Sequence, residues 1–395
     1  MMNRRHLASA VFVTAVLVAC SRKGAEDDTS SGGPNAGSFD KAALLRAFGD
    51  CAVSTYKEFQ TAASRFEGAT QKLKAEGTPD ALANARSVWS EAMDVWERAE
   101  VMQFGPAAMA GPGAADMRDG IYAWPLVGRC LIDGQLVDKT YETNLAGALA
   151  STRGLGAAEY LLFYEGKENG CGPAVTINAN GTWAALGQEL PGRRYAYSAA
   201  IATDVNQRAQ KLVEAWEPGK GDFLATLSKA PNSTFSSQQM AFNAVSDAIY
   251  YVDDFVKTMK VGKPAALTPD CAASCTDLVE SPWAKRSKVH LKNNLAGFEA
   301  IFRGCGAGGA GLGFDDLLVA VGAQATSDKV GAALDASKAA LAALTEPTFE
   351  EDVQKNPAGV KALFDALRNL FAIMKSEVAT VLDLNPPQRV ASDND

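Results

Sequence analysis

The side chains able to do chemistry in this sequence are mostly acids. Glu91, Asp94, Glu97 and Glu100 recur every three residues, and Asp133 and Glu159 follow. A three-residue spacing draws a slowly winding acidic strip along one helix, which ordinarily marks a solvated face. Glu100 stands apart because it is close to the break at Gly105 and to the turn Tyr122-Ala123-Trp124-Pro125. Glu159 precedes the apolar run Leu161-Leu162-Phe163, so it is placed either to contact a cation or polar ligand or to pair with a residue such as Arg153. Converging side chains of Glu100, Asp133 and Glu159 would offer oxygen ligands to a hard cation.

Histidine is scarce. His6 and His290 are the only two, and His6 falls in a segment with the marks of an export signal. One remaining imidazole excludes a two- or three-histidine zinc centre within one chain, and it excludes HExxH chemistry. Sites built on carboxylates suit a hard cation such as ferric iron better than zinc.

The N-terminus carries Arg4 and Arg5, an apolar stretch over 7–19, and then Leu17-Val18-Ala19-Cys20. That ending resembles the lipobox of bacterial lipoproteins. The resemblance implies cleavage after residue 19, lipidation of Cys20 and a stable bilayer anchor. Ser21 after the cysteine favours the outer membrane, with the protein facing the periplasm or the cell surface. Residues 20–39 read as the lipidated cysteine and a flexible tether, rich in Ser, Gly, Asp and Glu. Cys51, Cys130, Cys171, Cys271, Cys275 and Cys305 remain. An even number in an exported chain predicts disulfides, with the pairing open.

Thirty-eight basic side chains face 46 acidic ones, and loss of the leader with its two arginines makes the balance more acidic. Nucleic acid rewards clustered Lys and Arg, so it is excluded as a partner. A metal or small ligand and an envelope protein partner both remain open.

The elements that must position these residues are helical. Val360, Leu363, Phe364, Leu367, Leu370, Phe371, Met374, Val378 and Leu382 repeat at threes and fours behind Asn356-Pro357. Thr78-Pro79 opens a helix reaching about residue 104, Ser281-Pro282 opens another, and Thr348 and Glu351 have capping-box spacing. Long helices are also expected over 40–74, 194–216, 237–260 and 327–344. Trp89, Met93 and Trp96 are core packing, and a short hairpin is expected near 170–182. The fold class is all-α: two helical bundles, roughly 40–215 and 216–385, within one domain over 40–385, followed by a polar tail over 386–395.

Several segments resemble the imelysin family. They are Trp89 and Trp96 leading to Glu100-Val101-Met102-Gln103-Phe104-Gly105, Trp124-Pro125-Leu126 with Ile132-Asp133, and Gly154-Leu155-Gly156-Ala157-Ala158-Glu159. Later come Glu280-Ser281-Pro282-Trp283, Asn293-Asn294-Leu295-Ala296-Gly297-Phe298 and Gly311-Leu312-Gly313-Phe314. Imelysins carry Gly-x-His-x-x-Glu where this chain has Gly154, Gly156 and Glu159. The family was named for peptidases, with that His and Glu proposed as the site, and its members are implicated in iron uptake. Glycine cannot ligate or move a proton, and His290 lies far along the chain, so rescue from there is not expected. The resemblance therefore implies a membrane-anchored, non-catalytic protein binding a metal, with iron or another cation as the cofactor, or a small ligand. A structural, partner-docking protein with a vestigial site is the alternative, and a peptidase the second alternative.

Overall fold

Three side-chain caps fix where the principal helices start. The computed structural model describes residues 39–269, 271–306 and 309–391. Asp40 accepts the amide of Ala43 and opens α1, Lys41–Glu76. Thr78 accepts the amide of Ala81, with Pro79 in the first turn, and opens α2, Pro79–Ala99. The chain then runs through Arg129–Asp138 (α3), Gly154–Phe163 (α4), Leu190–Trp216 (α5) and Gln238–Ile249 (α6). A wider π-helical segment, Val252–Gly262, continues α6. Ser287–Arg303 (α7), Gln324–Ala342 (α8) and Pro357–Ile373 (α9) complete the long elements, α9 capped by Asn356 through the amide of Gly359.

Among the described residues no strand forms. The expected hairpin near 170–182 is instead two single-turn helices, Thr176–Ala179 and Thr182–Ala185. They are tied down by Asn178, whose amide donates to the carbonyls of Cys171 and Gly172. Thr348 caps a short helix, Phe349–Lys355, by accepting the amide of Glu351. Ser281-Pro282 does not open α7, which starts six residues later. Ser281 adopts φ +54° there, and the turn is turned to another use described below.

Helices α1, α2, α4 and α5 pack on one another, as do the π-helical segment, α7, α8 and α9. The described residues nonetheless lie within one compact unit, because α7 packs along α2. Gly297 permits that approach. A Cβ there would stand 2.4 Å from the carbonyl oxygen of Arg98 on α2. Trp89, Met93, Trp96, Phe298 and Phe302 are all buried in the core, as expected for the tryptophan face of α2. Ring contacts extend the core, Trp96 to Phe59 at 4.8 Å and Phe298 to Phe371 at 5.7 Å between centroids.

The cysteines pair as Cys51–Cys305, Cys130–Cys171 and Cys271–Cys275. The first ties α1 to the segment after α7. Leader, Cys20 and tether lie outside the described residues. Among the described residues no helix is long and apolar enough to cross a membrane.

Adding one methyl group at the α2–α7 crossing tests the arrangement. Gly297→Ala is expected to lower unfolding free energy in urea by about 1–3 kcal/mol, the usual range for overpacking against a fixed backbone. Gly68→Ala, on open space in α1, is the control and should not destabilise.

Candidate functional site

The α2–α7 crossing buries charge. Glu97, in the last turn of α2, and Glu100, just past its end, are both fully buried, so the end of the acidic strip is not a solvated face. Glu91, at the other end of the strip, is exposed. From α7, His290, Asn294 and Gly297 share one face at spacings of four and three and meet α2 there. Lys260 enters from the π-helical segment, and Glu280 from the loop before α7; both are buried.

Lys260 is the hub. Its Nζ lies 2.6 Å from Glu97 Oε2, 3.1 Å from Glu100 Oε2, 2.9 Å from Glu280 Oε1 and 3.0 Å from Asn294 Oδ1. Asn294 also donates to Glu97 Oε2 at 2.9 Å. Tyr122 donates to Glu280 Oε1 at 2.8 Å, and Tyr251 donates to Glu100 Oε2. Arg118, itself buried, stands 3.4 Å from Glu100 Oε1.

Each of two carboxylates thus gives one oxygen to Lys260 and keeps another. The kept oxygens are Glu97 Oε1 and Glu280 Oε2, and they stand 3.3 and 3.4 Å from His290 Nδ1. Among the described residues none of these three atoms has an aligned hydrogen bond, and neither does His290 Nε2. One ligand atom from each of Glu97, Glu280 and His290 falls within 4.8 Å of the others. Cations at zinc-like distances of about 2.1 Å would separate tetrahedral ligand atoms by about 3.4 Å. The donor set, two carboxylates and one imidazole, therefore fits a first-row divalent cation.

Burial and charge pull against each other here. Burial opposes the Lys260 ammonium, yet Glu100, Glu280 and Glu97 hold its pKa well above the ordinary value. Burial likewise disfavours the His290 imidazolium, but Glu97 and Glu280 outweigh it and raise its pKa. Burial raises Glu100, against the pull of Lys260. Glu280 is lowered: burial pushes it up, and Lys260 and His290 more than reverse that.

Glu159 occupies a neighbouring place. Its Oε1 accepts from Ser281 Oγ at 3.1 Å and from the amides of Trp283 and Ala284 at 3.0 and 2.9 Å. This is what the Ser281-Pro282 turn does in place of capping α7. Arg153 is engaged elsewhere, donating to the carbonyl of Ala146. Glu159 Oε2 accepts no hydrogen bond among the described residues, and the residue lines a cavity of about 300 Å³. Burial raises its pKa to about 7, although the Ala284 amide and the charge of His290 favour the anion.

The three acids singled out in the sequence do not form one cation site. Asp133 faces away, accepting from Tyr160 Oη at 2.9 Å and the Gly170 amide at 2.7 Å. Glu100 is held by Tyr251, Lys260 and Arg118, and Glu159 by the turn. The Tyr122 hydroxyl has its pKa raised by burial and by the charges of Glu280, Glu97, Glu100 and Glu159. His290, set aside in the sequence as too far along the chain to take the motif histidine's part, lies against Glu97 and Glu280 instead. Glu97, Lys260, Glu280 and His290 were missed as site residues. The face His290-Asn294-Gly297, a polar stripe ending in a glycine, was the available signal.

Helix α4 shows how the motif itself is built. Gly154 has φ +74°, and a Cβ on it would lie 2.5 Å from the carbonyl oxygen of Ile121. That same carbonyl accepts the Leu155 amide at 2.7 Å, which locks α4 onto the Tyr122–Pro125 turn. At Gly156 a Cβ would meet Val127 Cγ2 at 2.6 Å and the Tyr122 ring at 3.5 Å. Val127 thus fills the room that a larger residue would need.

The sequence profile of the imelysin family matches residues 52–375. The chain belongs to the imelysin family. Two solved structures share its fold. One, from Parabacteroides distasonis, carries the name iron-regulated protein A precursor. It aligns with a TM-score of 0.69 at 17% identity over 90% of this chain and 96% of its own. The other is an imelysin-like protein from Psychrobacter arcticum, with a TM-score of 0.66 at 18% identity over 88% and 96%. None of the curated proteins matches this imelysin by sequence.

Two measurements test the electrostatics. Removing the hub in Lys260→Met leaves three buried carboxylates without their shared cation and is expected to cost about 3–5 kcal/mol in unfolding free energy. For Glu159, folding raises the carboxyl pKa from the ordinary 4.5 to about 7, so the folded chain holds the extra proton between those values. Its stabilising contribution is complete below about pH 4.5 and lost as pH rises to about 7. Glu159→Gln should therefore gain on the parent across that window, by an amount on the order of 3 kcal/mol at most, read from unfolding midpoints at pH 5 and 7.5.

Proposed function

We propose that this imelysin is a non-catalytic binding protein of the bacterial envelope. It is anchored through a lipidated Cys20, favoured to be in the outer membrane, and holds a metal cation with Glu97 Oε1, Glu280 Oε2 and His290 Nδ1. The observation that carries the reading is the convergence of these three buried ligand atoms without aligned hydrogen bonds among the described residues. Buried polar atoms held only by an ion pair without aligned hydrogen bonds are incompletely satisfied, and a bound cation would complete them. The iron-regulated name of the Parabacteroides relative supports iron as the cation and iron uptake as the context.

Binding fits the site better than hydrolysis. Glu97, Glu280 and His290 are at most 1% exposed, so a polypeptide backbone has no access to them. Gly156 supplies neither ligand nor base, and Val127 takes up the neighbouring space.

One observation favours the alternative of a partner-docking protein with a vestigial site. Lys260 already sits among the three carboxylates as an internal cation. The two readings part in one experiment on the intact purified protein. Ferrous iron, manganese and zinc are titrated separately, with unfolding temperature and bound metal per chain both measured. Metal binding predicts one ion per chain and a rise in stability near 2.7 kcal/mol at a hundredfold excess over Kd, lost in His290→Ala and Glu280→Gln. No bound metal under any of the three ions, in a folded protein, leaves the vestigial reading.

A further inference from the structure

The cavity beside Glu159 has walls of a different kind from the dry cluster. It measures about 300 Å³, at the lower end for small-molecule sites. Three aromatic side chains line it, Tyr122, Trp124 and Trp283, together with Met259, Val127 and the carboxylate of Glu159. Gly156 also faces it and contributes no side chain. The mouth carries one acid and one base, Asp277 and Lys263, so no single sign of charge dominates there.

We propose that this cavity binds a small organic ammonium cation of the choline or alkylamine class, with Glu159 as counter-ion and the three rings as a cage. The carboxylate is 2% exposed, and its Oε2 has no hydrogen-bond partner among the described residues, while Oε1 is satisfied by three donors. A buried carboxylate with one free oxygen calls for a cation. A metal ion is poorly served, because rings supply no ligand atoms and one carboxylate falls short of the coordination number that hard cations require. An alkylammonium group asks for the opposite: little coordination, apolar contact around its methyl groups, and ring faces, each worth about 0.5–2 kcal/mol.

The walls are held stiffly enough to act as a cage. Trp283 donates its amide to Glu159 Oε1, so one residue both forms a wall and fixes the counter-ion. Its ring packs on Tyr160 at 4.9 Å, and Tyr160 is fixed by Asp133 and by Arg129 Nε at 3.0 Å. Asp133 therefore serves this cavity at one remove, through Tyr160. Trp124 already accepts one cation, with Lys260 Nζ 5.9 Å from its ring centroid, and Lys260 is not part of the cavity lining.

This inference uses side chains other than the proposed metal ligands, so the two stand or fall separately. Intact protein is titrated calorimetrically with choline, with tetramethylammonium and with 3,3-dimethylbutanol, the uncharged analogue of choline. The expected result is saturable binding of both cations and at least about tenfold weaker binding of the alcohol. Glu159→Gln, which keeps the Oε1 acceptor, and Trp283→Leu should each weaken choline about tenfold or more, whereas Trp283→Phe retains a ring and most of the affinity. Unfolding temperatures confirm that each variant is folded. His290→Ala should leave choline binding in place even where it abolishes metal binding. A short-chain phosphatidylcholine below its micellar concentration distinguishes a lipid headgroup from a free cation, and binding of either supports the ammonium chemistry. Equal affinity for the alcohol, no binding of either cation up to about 100 mM, or indifference to Glu159→Gln overturns the proposal.

Discussion

One buried ammonium group constrains everything around it. Lys260 is almost completely removed from water and is surrounded by the oxygens of Glu97, Glu100, Glu280 and Asn294. Each ion alone would cost several kcal/mol to desolvate, so the group is tolerable only when all of its members arrive together. They come from α2, the π-helical segment, the loop before α7 and α7 itself. The cluster is thus a condition on tertiary structure: those segments must converge or the charges must return to solvent. The wider π-helical turns carry Lys260, and such irregularities are frequent at functional sites.

The family's motif histidine has not simply been deleted from its neighbourhood. An imidazole is present, but it is delivered by α7 rather than α4, and it faces Glu97 and Glu280 rather than lying in the motif beside Glu159. The two carboxylates make this possible by splitting their oxygens between Lys260 on one side and His290 on the other. On α4 the position of the motif histidine is closed by Val127 and Tyr122, while Glu159 turns one oxygen to the 281–284 turn and lines the cavity. The acid and the imidazole have been separated into two environments, one dry and densely charged, the other open and aromatic.

How much of this could be read in advance depends on the range of the interaction. Helices were legible because their signals are local: Asp40, Thr78 and Asn356 each sit where their caps form, and the stripe from Val360 to Leu382 is the buried face of α9 and its continuation. The tryptophans of α2 were legible for the same reason. Ser281-Pro282 misled because its local pattern is that of a cap, whereas its long-range duty to Glu159 won. Glu97 misled because a three-residue recurrence cannot say where along a helix solvent gives way to a neighbour. His290 was invisible as a site residue since its place depends on Gly297 admitting α7 to the backbone of α2. The cysteine pairing was open for a related reason, as Cys51 meets Cys305 only across 254 residues of completed fold.

Tyr122 belongs to both environments. Its ring lines the cavity next to Trp124, and its hydroxyl donates to Glu280 Oε1, the oxygen that also contacts Lys260. Glu280 then contributes its other oxygen to the His290 side. One hydrogen bond therefore links the cavity wall to a carboxylate oxygen of the charged cluster. The cavity wall and the charged cluster are thus held by the same hydrogen bond, so Tyr122 has to be in place for both.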